Sequence, residues 1–296
     1  LASPSGGTRA HSGSSVKAID LDGDMDYEVL IGDISFPNLV MLTNGGDTSF
    51  AQMTSFDDNF PSGDTSVNLY LFPSAYFLDV NNDSLKDLLV TPNGTNLSDN
   101  KECSWMYKNT GSKTTPSLKF QTRKFLIADM IDVGAGANPQ FFDYNADGLM
   151  DLVIGNDALY KNESYSSGLT LFENIGTDSV PEFKWITDNY SNIQTLATRG
   201  VYPSFGDIDN DNDDDMIIGD WDGLLHLYTN IAGSGSPAIF VLSESNYKAI
   251  DAGQYATPQL IDVNRDGKLD LLVGERSGNI NYFENTGTAS AANFSA

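Results

Sequence analysis

Oxygen-bearing side chains recur at every second position in five stretches of this chain. They are Asp20, Asp22, Asp24 and Glu28; Asp79, Asn81, Asp83 and Asp87; Asp143, Asn145, Asp147 and Asp151; Asp207, Asp209, Asp211 and Asp215; and Asp262, Asn264, Asp266 and Asp270. In a tight loop that spacing turns successive side chains inward around one cation. The seventh residue of each stretch (Asp26, Leu85, Leu149, Asp213 or Lys268) is placed to add its backbone carbonyl, and the ninth carboxylate completes the shell. Hard oxygen donors in such number suit calcium better than zinc or copper, and magnesium would keep more waters and need fewer acids. Up to five calcium ions are therefore expected. A glycine at the sixth position eases the turn, and Gly148 and Gly267 supply it, with Asn212 the next best tolerated. Met25 and Ser84 depart from that pattern, so the third and fifth loops are expected to be the strongest sites and the second the weakest.

The charge balance agrees with this reading. The chain carries 41 Asp and Glu against 16 Lys and Arg, a formal charge of −25. Nucleic acid is excluded as a partner, because phosphate binding needs clustered basic residues. Seventeen of the carboxylates lie at the four oxygen positions of the loops, and five divalent ions would bring −25 to −15. The single cysteine, Cys103, rules out an intrachain disulfide framework and is expected to be a buried small apolar residue. No apolar stretch approaches the roughly 20 residues needed to cross a membrane, so no membrane insertion is expected. The chain opens on Leu1 without a signal-peptide core, which reads as a mature product or an excised fragment.

Each loop must be held by the elements around it, and these repeat too. The motif starts are 59, 64, 64 and 55 residues apart, and each loop runs straight into a short apolar segment: "VLIG", "LLV", "LVIG", "MIIG" or "LLVG". A third segment closes on an Asn, as in "YKNTG", "FENIG" and "FENTG", and a fourth follows from Ser49, Ser117, Pro181 and Ala238. Short Val-, Ile-, Tyr- and Phe-rich runs punctuated by Gly, Asn and Pro predict an all-β fold. Four antiparallel strands per unit make a β-propeller blade. A calcium-binding solenoid would repeat in nonapeptide steps, without a whole meander between loops. The predicted organisation is a flexible tail over residues 1–15 and a propeller over 16–296, with blades at about 16–56, 75–122, 138–186, 201–243 and 257–296. The closing "ANFSA" reads as the start of a fourth strand whose remainder lies beyond this chain.

From about Val16 onward the loops, with their "DLVIG" and "DLLVG" continuations, resemble the FG-GAP repeats of integrin α-subunit propellers and related bacterial proteins. The third-strand endings and the segments "HSGSSVKAIDLDGD" and "LIGDISFPNLVMLTNGG" are similar to large secreted Bacteroidetes proteins exported by type IX secretion. The resemblance implies a secreted or cell-surface propeller with calcium in the hairpin joining the first two strands of a blade. Family rings usually close with about seven blades, so five imply an unusual ring or part of a larger one.

Strand order places the calcium loops on one face of the blades. Long connections crowd the other, at Thr91 to Cys103, Asn156 to Gly168, Asp57 to Ser74 and Asp188 to Gly200, and carry Tyr70, Phe72, Tyr160, Tyr165 and Tyr190, with Trp221 in a short turn. Loops carry function more often than strands, so a protein or glycan ligand is expected on the face opposite the calcium, although each aromatic could equally pack its loop onto the blade. Catalysis finds little support. The histidines are His11 in the tail and His226 inside a predicted strand, where packing is expected, and no nucleophile elbow, HExxH or phosphate loop occurs. A carboxylate pair for glycoside hydrolysis needs coordinates to judge. Two function classes remain: a non-catalytic protein-binding or adhesion module, and a lectin-like glycan-binding module of a secreted polysaccharide-degrading or surface protein.

Overall fold

The computed structural model describes residues 13–70, 72–94, 101–161 and 164–295. The predicted tail, with His11, lies mostly outside these residues, as does part of the Thr91 to Cys103 connection. The described chain is built from strands and two short 3-10 turns, and it divides into two units: Leu1–Asp132 with Tyr160–Glu163, and Val133–Leu159 with Ser164–Ala296.

The first unit holds two four-stranded antiparallel sheets, each a simple meander. One contains β1 (Ser14–Ile19), β2 (Glu28–Asp33), β3 (Phe36–Asn44) and β4 (Met53–Phe60), and the other β5 (Pro73–Leu78), β6 (Asp87–Pro92), β7 (Trp105–Asn109) and β8 (Leu118–Thr122). β4 starts later than Ser49 because Asp47 Oδ1 accepts the N–H groups of Ser49 and Phe50 and ties that stretch into a turn. The strand therefore runs on to Phe60, through residues expected to be a connection. Leu30, Leu39, Leu88, Val90, Trp105 and Tyr107 form the core of this unit. Each fully buried aliphatic side chain contributes roughly 1.5–3 kcal/mol.

The second unit repeats the plan three times. Its first sheet orders β9 (Asn138–Phe142), β10 (Asp151–Gly155), β13 (Leu169–Asn174) and β14 (Phe183–Thr187), with short strands β11 (Leu159–Lys161) and β12 (Ser164–Ser166) in the connection between β10 and β13. The next contains β15 (Tyr202–Gly206), β16 (Asp215–Gly219), β17 (Leu225–Asn230) and β18 (Phe240–Glu244). The last contains β19 (Thr257–Ile261), β20 (Asp270–Gly274), β21 (Ile280–Asn285) and β22 (Phe294–Ser295), which pairs with β21 as the closing "ANFSA" predicts.

In every sheet the second strand begins at the ninth residue of an acidic loop. Between third and fourth strands the register slips once in three of the sheets, at Met106/Tyr107, Leu171/Phe172 and Leu227/Tyr228, and twice in the first sheet, bulges that increase twist. Sheets of the second unit pack through Phe142 stacked on Phe205 at 4.4 Å, with Phe240 and Tyr190 against them. The glycine closing the apolar run has a packing cause. A Cβ at Gly219 would lie 2.0 Å from the Ala256 carbonyl oxygen, and one at Gly32 would lie 1.7 Å from that of Pro73. Backbone from the next sheet occupies that space.

Candidate metal centres

Each acidic loop winds around its own carboxylates. In the third, fourth and fifth loops the first Asp accepts two N–H groups, from the fifth and sixth residues. Asp143 takes Asp147 and Gly148 at 3.2 and 2.9 Å, Asp207 takes Asp211 and Asn212 at 3.1 and 3.0 Å, and Asp262 takes Asp266 and Gly267 at 3.1 and 2.9 Å. Asp79 also accepts two, from the third and sixth residues, Asn81 and Ser84, and Asp20 accepts from the fourth, Gly23. The backbone is left-handed at the sixth position of all five loops, including Met25 at φ 74 and Ser84 at φ 68. The first and second loops therefore adopt the common turn without the favoured glycine. The fourth position is left-handed as well, at Gly23, Asn82, Ala146, Asn210 and Arg265, a feature that no shared side-chain type announces.

The ninth carboxylate is buried in every loop. In four of them it is a clamp as well as a prospective ligand. One oxygen accepts the N–H of the loop's second residue, and the other accepts that of the Asn ending the third strand: Asp87 with Val80 and Asn109, Asp151 with Tyr144 and Asn174, Asp215 with Ile208 and Asn230, Asp270 with Val263 and Asn285. The Asn continues the chain of bonds. Oδ1 of Asn44, Asn109, Asn174, Asn230 and Asn285 each accepts two N–H groups across the following hairpin, for Asn174 those of Gly176 and Glu182, both at 3.1 Å.

The loops differ in how their negative charge is met. Asp20, Asp22 and Asp24 bring three ligand oxygens within 4.8 Å of one another, as do Asp207, Asp209 and Asp211; the other loops have Asn at the third position. These same two loops hold buried carboxylate oxygens with no hydrogen-bond partner: both of Asp26, Oε1 of Glu28, and Oδ1 of Asp209 and Asp213. Desolvation is the first cause raising the carboxyl pKa of Asp26, Glu28, Asp209 and Asp213, and the neighbouring loop carboxylates raise it further. Asp215 is pushed up to about 7 by burial, reinforced by Asp209 and Asp211. A buried carboxylate oxygen facing only other carboxylates lacks a compensating charge, and a cation bound by hard oxygens supplies one. The donor set fits such an ion.

The second and fifth loops are each met by an ammonium group. Lys108 of β7 sits 3.5 Å from Asp83, and Lys268 sits 2.9 Å from Asp266 while also donating to the Asn285 carbonyl. Asp83 is held below the ordinary carboxylate range, first by the Leu85 N–H, and Asp266 first by the Lys268 hydrogen bond. The structure thus sorts the loops by charge compensation, which glycine at the sixth position does not track.

Of the aromatics in the connections expected opposite the loops, Tyr160 and Tyr190 are buried, Tyr190 packing on Tyr144 of the third acidic loop, whereas Tyr70 and Tyr165 are exposed and Trp221 is half-buried. Trp221 lies between the Arg199 guanidinium, 3.6 Å from its ring centre, and Tyr255 at 3.8 Å. Arg276 lies 5.8 Å from the Tyr255 ring. His226 is buried, as expected, but it does more than pack. Its Nε2 lies 3.2 Å from Asp220, which also accepts from Thr198, and its Nδ1 lies 3.4 Å from the Ser245 hydroxyl. Burial pushes the Asp220 carboxyl up, but the His226, Thr198 and Leu224 hydrogen bonds outweigh it and hold the group low. Residues 198, 220, 226 and 245 form no sequence motif, so sequence offered no signal for this cluster. Cys103 is half-buried, where a buried side chain was expected, because it lies in the connection leading to β7.

The FG-GAP-like repeat profile matches residues 79–154, 143–218 and 207–273. Each match begins on the first Asp of one loop and ends in the strand after the next. The chain belongs to the FG-GAP-like repeat family, and its four-stranded sheets are propeller blades. No match was found among curated proteins. Among solved structures the chain is similar to an Agrocybe aegerita lectin, described for its recognition of non-reducing terminal N-acetylglucosamine, at 15% identity and a TM-score of 0.35 over 95% of this chain. This chain spans 65% of the lectin's length. It is also similar to BBS1N in complex with ARL6DN, soaked with mercury or with lead, at 14% and 13% identity and TM-scores of 0.23, covering 90% and 93% of this chain and 78% and 81% of the other. Among the described residues no helix is long and apolar enough to cross a membrane.

Proposed function

We propose that the protein is a non-catalytic, calcium-stabilised extracellular binding module whose acidic loops hold up to five calcium ions. The buried, unpartnered carboxylate oxygens of the first and fourth loops carry this reading. A carboxylate oxygen shut off from water with no compensating charge destabilises the loop that holds it, and the loops offer oxygen donors alone, which favours calcium. Asp20, Asp22, Asp24 and Glu28, and Asp207, Asp209, Asp211 and Asp215, are the principal ligands. Their counterparts in the third loop come next, and those of the second and fifth loops compete with Lys108 and Lys268. Calcium at the millimolar levels of extracellular fluid would keep such sites filled, in keeping with the motif resemblance to integrin α propellers and secreted bacterial proteins. The primary role is protein binding or adhesion. The partner face is the one opposite the loops, where Arg199, Trp221, Tyr255 and Arg276 present charge and aromatic surface together. Isothermal titration of the chelator-treated chain with calcium tests the metal assignment. Binding is expected to be tightest in the first and fourth loops, so Asp22→Asn with Asp209→Asn should remove the tightest phase. Absence of any calcium binding overturns the reading.

A further inference from the structure

The groove between the first two blades, on the side of the acidic loops, is at odds with the charge of the chain. It has a volume of about 660 Å³ and is lined by Lys17 of β1, Lys86 of the second loop and Lys113 of the β7–β8 hairpin, together with Met25, Tyr27 and Phe77; Asp20, at the start of the first loop, is its one carboxylate, so the lining holds three ammonium groups against one acid. The chain has 41 acidic residues and only 16 basic ones, so a lysine has many carboxylates to choose from. Lys108, Lys119, Lys124 and Lys268 each take one. Lys17, Lys86 and Lys113, like Lys184 and Lys248, form no ion pair among the described residues, and these three converge on one groove.

The apolar part of the lining points the same way. Met25 is 75% exposed and Tyr27 60% exposed. Met25 also holds a left-handed backbone, φ 74, at a position where two sister loops have glycine. A large apolar side chain there costs backbone energy and buries nothing in return, the pattern expected where strain serves a contact. Methionine and tyrosine are enriched at protein interfaces, and the flexible thioether adapts to partner side chains. We infer that this groove is a docking site for an acidic segment of a partner protein, with the three lysines meeting its carboxylates and Met25 and Tyr27 meeting an apolar side chain. The inference extends the protein-binding reading above to a second surface and names the chemistry of its ligand.

The test is fluorescence anisotropy of a fluorescein-labelled decapeptide of alternating Glu and Leu, titrated with the whole chain in calcium buffer. Binding is expected, and Lys17→Ala/Lys86→Ala/Lys113→Ala should weaken it by about tenfold or more at an unchanged melting temperature. Met25→Gly should weaken it while raising the melting temperature, a combination that a merely structural role does not give. If the triple variant melts early, Lys86→Ala/Lys113→Ala, at two exposed positions, carries the test. No peptide binding, or equal affinity in the lysine variants, overturns the inference. So does a groove that binds oligogalacturonate and not the peptide, which would assign it to acidic saccharides. The calcium titration of the preceding section stands apart from all of these outcomes.

Discussion

Asp26 is buried with both carboxylate oxygens unpartnered beside Asp24, so replacing its charge should act in opposite directions with and without metal. Asp26→Asn is expected to melt later than the parent chain in chelator, because a buried uncompensated charge is gone. In calcium it should gain less on metal binding. Equal calcium-induced shifts in the two proteins would remove the Asp26 side chain, though not its backbone carbonyl, from the site. Met25→Gly is a second probe at this scale. Relief of the left-handed strain should stabilise the chain by about 1 kcal/mol, read as a rise of about 2 °C in melting temperature. The sixth-position departures visible in sequence were a guide to strain and not to geometry, since Met25 and Ser84 take the same turn as Gly148 and Gly267.

Strands, loops and hairpins are joined by the run of bonds from ninth carboxylate to strand-end Asn to the next hairpin. Asn174→Ala removes the acceptor for two N–H groups at once, those of Gly176 and Glu182. It should cost about 1–3 kcal/mol, measured as a lower urea midpoint. Gly219→Ala should cost a similar amount or more, since the added methyl meets the Ala256 carbonyl and must push two sheets apart. Much of this scale was legible beforehand: loop spacing, apolar runs and the closing Asn are all local patterns. What stayed hidden depends on register between distant segments. The residue before the closing Asn is Thr43, Lys108, Glu173, Thr229 or Glu284, and only the folded sheet shows that Lys108 reaches Asp83. The lysine groove, lined from β1, the second loop and the β7–β8 hairpin, was hidden for the same reason.

For the whole chain, a formal charge of −25 makes folding and cation binding one problem. Asp215 shows the direction in chelator. Its carboxyl, raised from 3.8 to about 7 in the fold, binds a proton more tightly when folded than when unfolded. That contribution is fully present below 3.8 and is lost as pH rises through about 7, so the metal-free chain should melt progressively earlier across this window. Calcium should reverse the trend, because it binds the ionised form. The central claim, that the acidic loops are cation staples fixing the first hairpin of each blade, is tested most directly by scanning calorimetry of one sample with calcium and one with chelator at neutral pH. If each site works about tenfold above its dissociation constant it contributes roughly 1.4 kcal/mol, so several sites together should raise the melting temperature by many degrees. Superimposable melting curves would contradict the account.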